Sequence, residues 1–153
     1  MGHWVGIAVV GDKVTIVGAT VPASGPMVIE CDVTWTMQTG NRADAYKFMH
    51  HQIADFLGSK RVEKVIVKAS AVSSSTKLSH LTSAELRGVV ICAAASSVAN
   101  VSVLAKNNIS RNFGNRKMDE YLKDEAFWTA EIAGVHLRSG SREAAMLLLA
   151  SRL

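Results

Sequence analysis

The amino-acid sequence predicts an α/β fold built on a five-stranded mixed sheet with helices on both faces. Three observations carry that prediction. Val5 to Val10, Val14 to Val21 and Val28 to Thr36 are rich in Val, Ile, Thr and Trp, and only turn signals separate them: Gly11-Asp12, then the stretch from Pro22 to Pro26. Such an arrangement makes a three-strand antiparallel meander. A helical pattern follows and leads into a further apolar run, Val62 to Lys68, which a crossover places parallel to the first strand. Finally, an apolar helix over Leu86 to Ser97 leads to a short fifth strand, Val101 to Ala105.

The helices take their justification from spacing and caps. Tyr46, Met49, Ile53 and Phe56 recur at three- and four-residue intervals, in a stretch that opens after Asn41 and closes at Gly58. Thr82 and Glu85 have the spacing of a capping box, and the Leu86 to Ser97 stretch behind them is apolar on nearly every side, as in a deeply buried helix. Beyond the fifth strand runs the basic, Asn-rich segment KNNISRNFGNRK, Lys106 to Lys117, read as a charged loop. Short helices are expected around Met118 to Lys123 and Asp124 to Ile132. A last one is expected from about Ser141 to Arg152, with Ala145, Met146 and Leu149 facing inward.

The 153 residues suit a single domain spanning 1–153. With 48% hydrophobic and 20% charged residues the chain is too apolar to be disordered. A formal charge of +4 permits an anionic partner without demanding one. Cys31 and Cys92 stand far apart with no CxxC and no Cys/His ligand spacing, so neither a disulfide nor a metal cage is expected. The start of the chain lacks a signal-peptide pattern and no apolar run is long enough to cross a bilayer, so a cytoplasmic protein without membrane partners is expected.

Most candidate chemistry gives way to a structural reading. His50 and His51 are adjacent on a helix and point about 100° apart, so they cannot chelate one metal together. His80 with Ser73, Ser74, Ser75 and Ser79 suggests a nucleophile and base, but without a strand-turn-helix elbow it reads as a Ser-rich loop. No phosphate-cradling glycine pattern occurs. The stretch VIVKAS, Val65 to Ser70, is different, because a buried strand ends there by delivering a cation, Lys68. Lys106, Arg111, Arg116 and Lys117 also stand out, interleaved with Asn107, Asn108, Asn112, Asn115 and Phe113, a composition suited to phosphate contact and base stacking. Lys60, Arg61 and Lys64 form a second cluster, expected at the opposite end of the sheet.

Element order and three segments together resemble the RNase H-like superfamily, and within it the RuvC-type Holliday-junction resolvases. TKLSHLTSAELRGVVICAAAS is similar to the resolvase helix in which Arg-Gly precedes small apolar residues. VLAKNNISRNFGNRKMDEYL resembles the segment where a lysine, a glycine turn and a basic residue precede a short helix, and REAAMLLLA resembles the last helix. The resemblance implies carboxylates converging on divalent metal ions that cleave a phosphodiester. It places the first-strand aspartate at Ala8, the fourth-strand acid at Lys68, and the two carboxylates of the last helix near Gly140 and at Glu143. Of the four, only Glu143 is acidic.

The resemblance therefore implies a catalytically degenerate module, a pseudo-nuclease with no intact catalytic set, no metal site and no cofactor. Such a module would bind nucleic acid or a protein partner. Lys106, Arg111, Arg116 and Lys117 are its candidate contacts, joined by Arg87, and Lys68 is expected to pair with Glu143 where metal would otherwise sit. One alternative is an active Mg²⁺-dependent endonuclease using Asp12, Asp32, Asp44 or Asp124 beside Glu143. The other is an assembly subunit, a homodimer formed through an exposed helix face. Asp12 lies in a Gly-Asp turn signal, and Glu143 in the first turn of a helix has its own favourable interaction with the macrodipole.

Overall fold

The structure, a computed structural model, describes residues 2–72, 77–114 and 116–152; Ser73, Ser74, Ser75 and Asn115 lie outside them, as does the side chain of Asn112. Strand β1 (Gly2–Val10) turns at Gly11 into β2 (Lys13–Val21), and β3 (Met27–Thr36) completes the meander. Helix α1 (Arg42–Ser59) begins where Asn41 accepts a hydrogen bond from the Asp44 amide at 3.1 Å. Then come β4 (Lys64–Lys68), α2 (Leu78–Ser97), β5 (Val101–Leu104), α3 (Lys106–Phe113), α4 (Met118–Leu122), α5 (Glu125–Glu131), β6 (Ile132–Gly134), a 3₁₀ turn (Ser139–Ser141) and α6 (Arg142–Ser151).

The strand order is β5-β4-β1-β2-β3-β6, with β1, β2 and β3 antiparallel and the β1–β4, β4–β5 and β3–β6 pairs parallel. The sheet has six strands, one more than predicted. Ile132-Ala133-Gly134 escaped notice because it is three residues long and largely exposed, with no alternation or β-branched run to mark it. Central β1 is covered on both sides. Val5, Ile7 and Val9 face α1 and α2, whereas Ala8 faces α6 with Ile66 of β4.

Helix α6 is the buried one: every residue from Ala144 to Ala150 is at most 1% exposed, because α6 lies between the sheet and the layer formed by α3, α4 and α5. Helix α2, expected to be deeply buried, covers the sheet with Leu86, Val90, Ala93 and Ala94 and leaves Ala84, Gly88, Cys92 and Ala95 exposed. Its predicted capping box does not form. The helix starts four residues earlier at Leu78; the Thr82 hydroxyl donates to the Leu78 carbonyl, and Glu85 accepts from Arg42 and Tyr46 of α1. The segment Lys106 to Phe113, read as loop, is helical, anchored by fully buried Ile109 and closed at Gly114, whose φ of 146° suits glycine.

Two contacts set the position of α6. At Gly6 a Cβ would overlap the Ala144 carbonyl oxygen, so the helix backbone rests directly on β1. At its entry, the side chain of Asp32 in β3 is only 3% exposed. It accepts from the Arg138 amide at 2.9 Å, from the Arg138 guanidinium at 2.7 and 3.1 Å, and from the Ser141 hydroxyl at 2.5 Å. Burial pushes the Asp32 pKa up, but the hydrogen bonds from Arg138 and Ser141 outweigh it and leave the carboxyl below its ordinary value.

Gly6→Ala should lower unfolding stability by about 2–3 kcal/mol, since the helix must lift off the strand to admit a methyl group; denaturant unfolding measures this. A carboxyl with a depressed folded pKa stabilises above its unfolded pKa, and that stabilisation is lost as pH falls through the folded one. Asp32→Asn should therefore cost about 2 kcal/mol near neutrality. Chemical denaturation across pH should show the gap between wild type and variant closing below about pH 4, where the unfolded carboxyl begins to protonate.

Candidate nucleic-acid interface

The site lies at the carboxyl ends of β1 and β4. These strands are parallel with Ile7 opposite Val67, so the next residues, Ala8 and Lys68, are neighbours on the face covered by α6. The first turn of α6 brings Glu143 over them, and the Lys68 ammonium forms an ion pair with the Glu143 carboxylate. Both side chains are about four-fifths shielded, at 21% and 24% exposed. The expected pairing is present, and Lys68 does not point into open solvent. Gly140 lies in the 3₁₀ turn before α6 and contributes no side chain.

Arg87 of α2 reaches the same strand ends from the other side. Its guanidinium donates to the Val9 carbonyl at 2.9 Å and to the Ser70 hydroxyl at 2.5 Å, while Nε is buried without a partner among the described residues. Burial pushes its pKa down, and the charge of Glu143 partly offsets that. Among the described residues no carboxylate forms a direct ion pair with Arg87.

These residues do not fit a divalent cation held by carboxylates. A methyl, an ammonium and one carboxylate already engaged by that ammonium supply too little anionic oxygen, and the ammonium repels a cation. The four alternative aspartates do not come to the rescue. Asp12 is exposed in the β1–β2 turn, Asp32 holds Arg138, Asp44 is exposed in the first turn of α1, and Asp124 caps α5 and pairs with Arg116. Among the described residues no three His, Cys, Asp or Glu side chains gather as a metal site would need.

From Arg87 a groove runs across the sheet edge in three adjoining depressions. The first, beside Arg87, shares Ser70 and Ala71 with the second, around Lys68; the second shares Lys106 and Asn107 with the third, which reaches Lys117. Arg87, Lys68, Lys106 and Lys117 line it, and Asp119 is the one carboxylate lining residue among those described. Not every cation is equally available. Lys106 pairs with Asp119 at 3.0 Å, and Arg116 is held by Asp124 at 2.8 Å, by the Glu120 carbonyl and by the Tyr121 ring. Arg111 and Lys117 are exposed.

Other sequence candidates fall elsewhere. Ser79 and His80 sit in the first turn of α2 rather than in a loop, where they border the Arg87 depression. Lys64 lies at the opposite end of the sheet with its ammonium over Trp4, at 4.5 Å from the ring centre. His50 and His51 face a different groove, between α1 and α2. No helix among the described residues is long and apolar enough to cross a membrane. The polar rim of Ser70, Ser83 and Arg87 was legible only in part: an Arg four residues after a Ser marks one helix face, but nothing local says that this face meets the strand ends.

No family model and no curated protein matches the sequence. Solved structures do match. Thermus thermophilus RuvC superposes with a TM-score of 0.72 at 14% identity, over 97% of this chain and 92% of that one. T. thermophilus RuvC in complex with Holliday junction substrate gives 0.69 at 13% identity, over 97% and 91%. The yeast mitochondrial Holliday junction resolvase gives 0.64 at 10% identity, over 97% and 77%. Strand order, parallel crossovers and buried last helix thus belong to one architecture, and the chain has the RNase H-like fold of the RuvC-type Holliday-junction resolvases.

Proposed function

We propose that this protein is a nucleic-acid-binding module built on the resolvase fold, in which the metal-dependent cleavage site has been replaced by an internal ion pair. The observation that carries the reading is the Lys68–Glu143 pair at the carboxyl ends of β1 and β4, continuous with a groove lined by cations. An ammonium in that position neutralises the remaining carboxylate and repels Mg²⁺, yet leaves the neighbouring lysines to meet a phosphate backbone. A structure of the same fold in complex with Holliday junction substrate supports nucleic acid as the ligand class. Lys106, Lys117 and Arg111 supply phosphate contacts; Arg116, stacked on Tyr121 and bound to Asp124, holds the segment in shape and contributes charge.

Affinity against salt for branched, duplex and single-stranded DNA tests the proposal. Wild type should bind with a clear salt dependence, and for duplex DNA Lys117→Gln should lower the slope of log affinity against log salt by about one unit. Lys106→Gln should lose less, because Asp119 already competes for that ammonium. No binding to any ligand at low salt would overturn the reading. It would favour assembly instead, for which the open small-residue face of α2 beside Tyr46 and His50 is the available surface.

A further inference from the structure

The depression beside Arg87 has a composition that the groove alone does not explain. Its volume is about 410 Å³, and the polar side chains lining it are Ser70, Ser79, His80, Ser83 and Arg87, with no carboxylate among the described residues. A guanidinium has five N–H donors. Among the described residues, one of Arg87 goes to Ser70 and one to the Val9 carbonyl, and Nε–H is buried without a partner, leaving two on the terminal nitrogens. Such an arginine has been drawn partly out of water with no carboxylate bound to it; Glu143 acts on it only through space. A partly desolvated cation of this kind, rimmed by hydroxyls and an imidazole, favours an anion that can take a two-pronged hydrogen bond, and a tetrahedral phosphate oxyanion does so. The Ser83 hydroxyl accepts from the Gly11 amide at 2.8 Å, which ties the β1–β2 turn to α2 and keeps the wall of the depression in place.

We propose that this depression is a metal-free phosphate site, in which the Arg87 guanidinium, with Ser70 and His80 at its rim, holds one backbone phosphate of the bound nucleic-acid strand. The site deepens the nucleic-acid reading and rests on it for the identity of the ligand. It places the strand's phosphate on a side-chain cation, at the sheet edge where carboxylate-held metal cannot be accommodated. Occupation by a phosphate also supplies the directly bound negative charge that Arg87 lacks among the described residues.

Two measurements test the site. In the first, inorganic phosphate is titrated into ¹⁵N-labelled wild type while the arginine side-chain N–H resonances are followed, with Arg87→Lys assigning the Arg87 signal. In the second, oligonucleotide affinity is compared among wild type, Arg87→Gln and Arg87→Lys. The site predicts a saturable shift of the Arg87 signal and affinity about tenfold weaker in Arg87→Gln, whereas Arg87→Lys keeps the salt slope and loses only about threefold, since it retains charge but not the fork. Wild type and Arg87→Gln binding oligonucleotide equally, with no phosphate shift, would overturn the site and leave the groove reading intact. A phosphate shift without oligonucleotide binding would uphold the site and overturn nucleic acid as its ligand. If Arg87→Gln fails to fold, the wild-type phosphate titration decides alone.

Discussion

The backbone of α6 lies against Gly6, and the strand-end chemistry depends on that contact. Only a residue without a side chain lets the Ala144 carbonyl reach β1, and because Glu143 precedes Ala144, the same contact fixes where the carboxylate hangs. Burial of Ala144 to Ala150 on both sides then removes any freedom for the helix to slide, since a shift by one residue would exchange packed methyl and isobutyl groups throughout the core. The Asp32–Arg138–Ser141 network clamps the turn that precedes the helix. A carboxylate placed so firmly beside strand ends must have its charge answered there, by metal or by a side chain.

Lys68 answers it from within. At about 4 Å and an effective dielectric of about 20, two opposite charges attract by roughly 4 kcal/mol before desolvation is counted, and desolvation offsets much of that. The pair therefore adds little to net stability. Its consequence is local: Glu143 is satisfied, the strand ends acquire no surplus negative charge, and the groove beside them stays positive through Arg87, Lys106 and Lys117. A metal site needs the reverse balance, an excess of anionic oxygen that only a bound cation relieves. Both arrangements can occupy one fold, because the fold supplies the meeting of two parallel strand ends and a helix, and the residues there supply the chemistry.

Much of this was legible in the sequence, for reasons that particular residues make plain. The meander, α1 and β4 follow from uninterrupted apolar runs and from the Asn41 cap, which are local signals. The Lys68–Glu143 pair was legible only through the family resemblance, which set both residues at neighbouring carboxylate positions where a lone partly buried carboxylate needs an opposite charge; a lysine ending an apolar strand otherwise keeps its ammonium in water. What was not legible is tertiary. The apolar length of α2 suggested complete burial, yet α1 packs beside it and, among the described residues, one side remains open. The short β6 and the polar α3 have too few apolar residues to declare themselves; α3 is helical because Ile109 finds the α6 layer, a contact that no window along the chain contains. The Asp32–Arg138 network joins residues 106 positions apart, beyond the reach of any spacing rule.

Mn²⁺ titration of the wild-type protein and of the Ala8→Asp/Lys68→Glu double variant, read by calorimetry, bears most directly on the claim that an internal ion pair stands in for metal. The account predicts no specific Mn²⁺ binding by wild type and a weak but saturable site in the double variant, because two new carboxylates then join Glu143 on one face and the repelling ammonium is gone. Stoichiometric Mn²⁺ binding by wild type that disappears in Glu143→Gln would contradict it.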